Sequence, residues 1–309
     1  FFFCFQFLYV EVSLIPLIMA IAPVQDVLKK ALEGNVDAAS LTWLEEQAEK
    51  IKSSSTPNSF FLSFSRASRF FKKEGLSWKE ESISSLPEGV DPGAWDCLQV
   101  ARMYLVLQLP SLHDAWLSIL QQVFETGDMY EQQALYTALP LLPNAQELLP
   151  RAIEGCRTNM SLIFDAIALR NPYPARFFPE ANWNQLVLKA IFMQRPLYLI
   201  QDLDRRRNAA LAAMATDFAH ERWAAGRAVM PEVWRLLVPF MGPQYLEDLN
   251  KVLTSSDALE QKSGALAVYQ SNYAPAQELL NAYPLLREAC ANATFSWEDL
   301  GIEFQKNRV

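Results

Sequence analysis

Asp217, His220 and Glu221 stand at i, i+3 and i+4, so pairs of them share one face of any helix that carries them. Two chemistries use such a spacing. One is half of a carboxylate-bridged metal site, which needs a matching Glu/His set from other helices. The other is proton transfer, with His220 and Glu221 as acid and base. His113 is the only other histidine, so a full metal complement is not expected. Glu221 is better placed to pair with an arginine. Arg222 falls on the apolar side of the same segment, and a buried guanidinium normally needs a carboxylate.

These residues close the most unusual stretch of the chain, Arg157 to Trp223. It contains RTN (157–159), ALRNPYP (168–174), NWNQ (182–185), QDLDRRRN (201–208) and AHERWAAGR (219–227). Planar hydrogen-bonding groups are interleaved there with aromatic rings, the mix that lines pockets and contact surfaces. The expected ligand-binding set is Arg157, Asn159, Asn171, Tyr173, Trp183, Asn184, Asp204, Arg205, His220, Glu221 and Trp223. In that reading Arg and Asn orient a polar or anionic ligand and the aromatics supply stacking area. The competing reading makes Asn and Asp helix caps and Arg and Trp ties between helices. Asp202-x-Asp204-Arg205-Arg206 can likewise hold a cation, hold a phosphate, or form a solvated turn.

A second cluster, FFLSFSRASRFFKK (60–73), mixes Phe60, Phe61, Phe64 and Phe71 with Arg66, Arg69, Lys72 and Lys73. It suits peripheral contact with a membrane or an acidic ligand. It equally suits a helix that buries phenylalanine and exposes its basic residues. WLEEQAEKI (43–51) reads as a solvated face with helix-stabilising charge pairs.

Apolar spacing is helical wherever these residues must be positioned. In 182–194, Trp183, Leu186, Val187, Ala190 and Ile191 form one buried stripe. In 208–226, Asn208 caps a helix whose stripe is Leu211, Met214, Ala215, Phe218 and Ala219, ending at Gly226. A third helix over 160–169 is stopped by Asn171-Pro172-Tyr173-Pro174. Period-two alternation is not sustained anywhere. The chain reads as all-α, with proline-bounded helices stacked as antiparallel pairs. The least periodic segment, 75–93, is the expected long loop.

A faint internal repeat fits stacking. Asp128-x-x-Glu131-Gln132 and Ala145-Gln146-Glu147-Leu148-Leu149 recur as Asp257-x-x-Glu260-Gln261 and Ala276-Gln277-Glu278-Leu279-Leu280. The displacement is near three periods of roughly 40–47 residues, the HEAT or armadillo repeat. A HEAT/armadillo-like α-superhelix is therefore expected, as a single domain over 19–309.

Several function classes are disfavoured. With 309 residues, 51% of them hydrophobic, a net charge of −8 and a pI near 5.0, the chain suits a globular core and not a nucleic-acid surface. Neither G-x-G-x-x-G nor G-x-x-x-x-G-K occurs, and no G-x-S-x-G elbow does. The four cysteines have neither C-x-x-C nor zinc-finger spacing, which points to free thiols in a reducing, cytoplasmic compartment. No cofactor is expected. The opening FFFCFQFLYVEVSLIPLI carries Glu11 as its only charge and suits neither a signal peptide nor a membrane helix. Residues 1–18 are expected to be upstream translation or disordered, with the start at Met19.

The run RTNMSLIFDAIALRNPYPARFFPEANWNQLVLKAIFMQRPLYLIQDLDRRRNAALAAMATDFAHERWAAGR (157–227) resembles the EboA family of metabolite traffic proteins. FLSFSRASRFFKK (61–73) and WRLLVPF (234–240) are similar to that family too, and the likeness runs from Met19 into the 240s. It implies a bacterial protein that helps move a small-molecule precursor, such as that of the pigment scytonemin, toward the periplasm. The implied companions include a prenyltransferase and a TIM-barrel protein. It carries over no catalytic residue, and the sequence shows no recognised catalytic constellation, so a non-enzymatic role of binding is expected. The alternative is an enzyme on an isoprenoid- or cyclitol-linked metabolite, and a third reading is a pure scaffold.

Overall fold

Buried apolar positions recur with helical spacing along the chain, and the computed structural model, which describes residues 15–54, 56–109 and 115–308, is all-helical. Among the described residues no strand forms; one isolated bridge joins Gly75 and Asp96. No helix among them is long and apolar enough to cross a membrane. The expectation for residues 1–18 falls largely outside the described residues, as do Cys4 and His113. Where the sequence reads as one domain, the contacts gather into two compact units.

The first unit comprises the chain up to Glu88 together with Pro92–Glu147. Its helices are α1 (Ile15–Glu33), α2 (Ala38–Ser53), α3 (Asn58–Arg66), the single turn α4 (Glu80–Ile83), α5 (Cys97–Val106), α6 (Trp116–Thr126) and α7 (Met129–Ala138). Helix α5 is central, packing on α1, α2, α3 and α7, and all ten of its residues are buried. A helix buried all round must satisfy its polar side chains internally. Gln99 does so by closing a capping box with Asp96, and Arg102 turns toward Glu131 on α7. Segment 75–93 is irregular apart from α4, as expected.

The second unit comprises Gly89–Asp91 and the chain from Leu148 on. It contains α8 (Leu149–Gly155), α9 (Ser161–Ala168), α10 (Tyr173–Phe177), α11 (Glu180–Phe192) and α12 (Ala209–Ala224). After these come α13 (Leu246–Leu253), α14 (Ala258–Gln270), α15 (Ala274–Glu278), α16 (Pro284–Ala291) and α17 (Trp297–Lys306). The segment Pro231–Phe240, bounded by prolines, runs as a long 3₁₀ helix between α12, α14 and α17. Runs of that length are uncommon, and burial of Val233, Trp234, Leu236 and Leu237 holds this one in place. Gly264 lets α14 approach α13 closely, because a Cβ there would sit 2.8 Å from Val252 Cγ1.

The 182–194 and 208–226 segments become α11 and α12, with Asn208 capping α12 through the Leu211 N–H at 2.8 Å. Of the second stripe Leu211, Ala215 and Ala219 are buried, whereas Met214 is exposed and Phe218 half-buried. The Asn171-Pro-Tyr-Pro stop does end α9, yet Pro172 and Pro174 then open α10, since proline suits a first helical turn. Both repeated Asp residues are N-caps, Asp128 of α7 and Asp257 of α14, and each capped helix packs on its predecessor. The second strings agree less well. Ala145–Leu148 is a 3₁₀ turn leading into α8, whereas Ala276 lies in α15 and leads into a 3₁₀ turn.

Candidate functional site

The expected ligand set is divided by the fold. Tyr173 and Trp183 are fully buried, and Asn171 and Asn184 nearly so, all in the core of the second unit. A ligand has no face of these rings to stack on, so here the expectation of an aromatic ligand surface is corrected. Helical periodicity placed Trp183 on the buried stripe, and the stripe won. Asn171 Oδ1 accepts the Tyr173 N–H at 2.9 Å, and Asn184 pairs amide to amide with Asn208 at 2.8 and 3.1 Å. These are caps and ties.

The QDLDRRRN run is also spent inside the fold. Arg206 donates to the carbonyls of Pro174, Ala175 and Phe178. Asp204 receives a two-pronged bond from Arg235 at 2.7 Å in each prong. Burial pushes the Asp204 carboxyl up, but the Arg235 hydrogen bond and the Arg235 and Arg207 charges bring it below its ordinary value. Arg205 is exposed and pairs with Asp202 at 2.6 Å. In the 60–73 cluster Phe60, Phe64 and Phe71 are buried while Arg66 and Arg69 face solvent, with Leu62 and Phe70 left exposed.

His220 and Trp223, from the last turns of α12, do face a depression, and α13 completes it. An open hollow of ≈ 430 Å³ is lined by His220, Trp223, Ala224, Glu247, Asp248 and Lys251. His220 Nε2 lies 2.7 Å from Asp248 Oδ1; the histidine ring is half exposed, whereas the aspartate is nearly buried. The aspartate fixes the imidazole's orientation, the usual task of a carboxylate behind a functional histidine. Trp223 stacks on fully buried Trp234 at 5.5 Å and 25°, and His220 stacks on Trp223 at 5.8 Å and 30°. The rings thus form a ladder from the core to the surface. Lys251 Nζ sits 3.9 Å over the Trp223 ring. Among the described residues no carboxylate pairs with that ammonium.

Glu221 is exposed and does not line the hollow, and Asp217 is exposed as well. The acid beside His220 is Asp248, so the His220/Glu221 acid–base pairing is replaced by His220/Asp248. Arg222 is half-buried, and its Nε donates to the Ala228 carbonyl at 3.0 Å instead of meeting Glu221. Among the described residues no three His, Cys, Asp or Glu side chains converge as a metal would require. The lining offers no Ser, Thr or Cys as a nucleophile. The hollow brings together a cation, an oriented imidazole and an aromatic face.

Asp248 and Lys251 escaped the sequence reading. The available signal was Asp248 beside Leu249 and Val252 on the buried side of an amphipathic helix, where a carboxylate needs a partner. Arg157 and Asn159 fall elsewhere, around a second hollow beside α11 that Arg157 lines together with Lys189.

Fold and site together define an all-helical protein with a polar, aromatic surface hollow. A family model described as "Metabolite traffic protein EboA" matches residues 24–238 of the chain. The chain belongs to the EboA family. That match includes His220, Trp223 and Trp234, while Glu247, Asp248 and Lys251 lie beyond it. No curated protein and no solved structure matches the chain.

Proposed function

We propose that the chain is a non-enzymatic traffic protein that binds a small metabolite precursor in the His220–Trp223–Lys251 hollow and passes it to companion proteins. The observation that carries this reading is Lys251 poised over the half-exposed Trp223 ring, beside an imidazole held by Asp248. A planar or anionic metabolite gains an aromatic face, a cation and a fixed hydrogen-bonding nitrogen there. The family description supports the traffic role. A scytonemin-type precursor is one candidate cargo, and a prenyltransferase and a TIM-barrel protein are candidate partners. Nucleic acid is not among the partners in this reading, and the acidic net charge supports that.

In the same reading the protein acts in the cytoplasm, as buried free Cys97, Cys156 and Cys290 favour, with at most peripheral membrane contact. The pairs α6/α7 and α13/α14, each with an Asp-capped second helix, support HEAT-like stacking within the units.

Mass spectrometry of small molecules copurifying from cells that express the pathway tests the proposal. A specific mass retained by the wild type and lost from Trp223→Ala and Lys251→Glu supports it. Both variants retaining that mass at wild-type yield overturns it. The His220–Asp248 pair favours one alternative, an enzyme on an isoprenoid- or cyclitol-linked metabolite. A pH-dependent conversion of the bound molecule, abolished in His220→Ala, would establish that alternative.

A further inference from the structure

We propose that the hollow beside α11 is a separate binding site for an amphiphilic anion, a phosphate or carboxylate carried on a short apolar body. The hollow has a volume of ≈ 250 Å³ and lies between α8 with the turn after it and α11. Its floor includes the buried side chains of Phe178 and Leu186, and its walls carry Arg157, Lys189, Asn182 and Gln185. No carboxylate lines it.

Carboxylates meet several of this unit's other cations, although Arg206 and Arg222 are held by backbone carbonyls and Lys251 has no carboxylate partner among the described residues. Arg170 pairs with Asp91, Arg195 with Asp165, Arg205 with Asp202 and Arg235 with Asp204. Lys189 Nζ instead meets the neutral Asn159 Oδ1 at 2.5 Å. The Arg157 guanidinium has no hydrogen bond or ion pair among the described residues. In a chain of net charge −8, two uncompensated cations around one hollow form a local anion site. An arginine fork, an ammonium and two amides supply the donors that phosphate or carboxylate oxygens take.

The surroundings specify the rest of the ligand. Phe192 is 63% exposed, with the Lys189 ammonium 5.5 Å from its ring centroid, and Met160, next to Asn159, is 47% exposed. Apolar side chains on the floor and beside the cations favour an anion with an alkyl or prenyl-like body over a bare inorganic ion. Such chemistry comes either from a free metabolite or from an anionic lipid headgroup. The inference does not rest on the His220 reading, since the two hollows share no residue.

Calorimetric titration of the full chain with hexyl phosphate and with inorganic phosphate tests it, together with sedimentation on phosphatidylglycerol and phosphatidylcholine vesicles. Hexyl phosphate should bind roughly tenfold or more tightly than inorganic phosphate, since burying two methylenes already gives that ratio. Arg157→Gln combined with Lys189→Gln should abolish binding with an unchanged unfolding midpoint, because neither side chain has a charged partner to lose. Trp223→Ala should bind as the wild type does. Sedimentation on phosphatidylglycerol alone, lost in the double variant, assigns the site to a lipid headgroup. Binding of hexyl phosphate without sedimentation assigns it to a free metabolite. Failure to bind either phosphate or vesicle, or wild-type binding by the double variant, overturns the site.

Discussion

The guanidinium of Arg206 lies 4.6 Å above the ring of buried Trp183 while its terminal nitrogens hold the carbonyls of Pro174, Ala175 and Phe178. Those carbonyls belong to the five-residue α10 and the residue after it; the Phe178 N–H reaches the Pro174 carbonyl at 3.0 Å, and Arg206 bonds all three. Arg206 therefore ties α10 to α11 through planar geometry that lysine cannot copy. Arg206→Ala should cost about 2–4 kcal/mol in urea unfolding, and Arg206→Lys should recover less than half of that loss. Arg205→Ala, one residue away but exposed, should change stability by no more than about 0.5 kcal/mol. Equal losses at the two positions would contradict this division of labour.

Glu131 performs two tasks in the first unit. One oxygen accepts the Asp128 N–H at 3.0 Å and closes the cap of α7; the other lies 3.5 Å from the Arg102 guanidinium. Arg102 is 1% exposed, also donates to the Phe64 carbonyl at 3.2 Å, and leaves one terminal nitrogen without an acceptor. Removing the acid strands a buried charge, whereas removing the arginine strands an acid that still has its cap to satisfy. Glu131→Ala should accordingly cost about 3–5 kcal/mol, and Arg102→Met clearly less, because methionine fills the volume without a charge. Chemical unfolding of the two variants measures the order, and the reverse order would refute the argument.

The elements were legible where they depend on local pattern. Asn208, Asp128 and Asp257 announce their helices because a cap is read within three residues. The 3₁₀ course of Pro231–Phe240 was not legible, since it is imposed by burial against α12, α14 and α17. At the site, the unusual residue types stood out, but their roles depended on which face each helix turns inward. Trp183 and Trp223 look alike in sequence; one is core and the other lines a hollow. The partner of His220, Asp248, lies 28 residues away on another helix, and no spacing rule connects them.

Glu232 is fully buried among Leu197, Tyr198 and Gly301, where a Cβ on Gly301 would meet Tyr198 Cδ1 at 2.4 Å and Glu232 Oε2 at 2.9 Å. Its Oε2 accepts the Leu197 N–H at 3.1 Å, and its Oε1 has no partner. Burial pushes the carboxyl up from 4.5 to about 8, against the opposing pull of the Leu197 and Tyr198 N–H groups and the Arg235 charge. Below 4.5 both the folded and unfolded chains carry the proton, and this group leaves stability unchanged with pH. Between 4.5 and about 8 only the folded chain retains it, so stability must fall as pH rises through that window. The limiting slope is about 1.4 kcal/mol per pH unit, and it levels off once the folded chain also ionises. Glu232→Gln removes the titration while keeping a carbonyl oxygen for the Leu197 N–H. The variant should gain stability relative to the wild type from about pH 5 to about pH 9, read as diverging urea midpoints. Parallel midpoints across that range would mean that Glu232 gives up its proton as readily in the folded chain as in the unfolded one, and would overturn the argument.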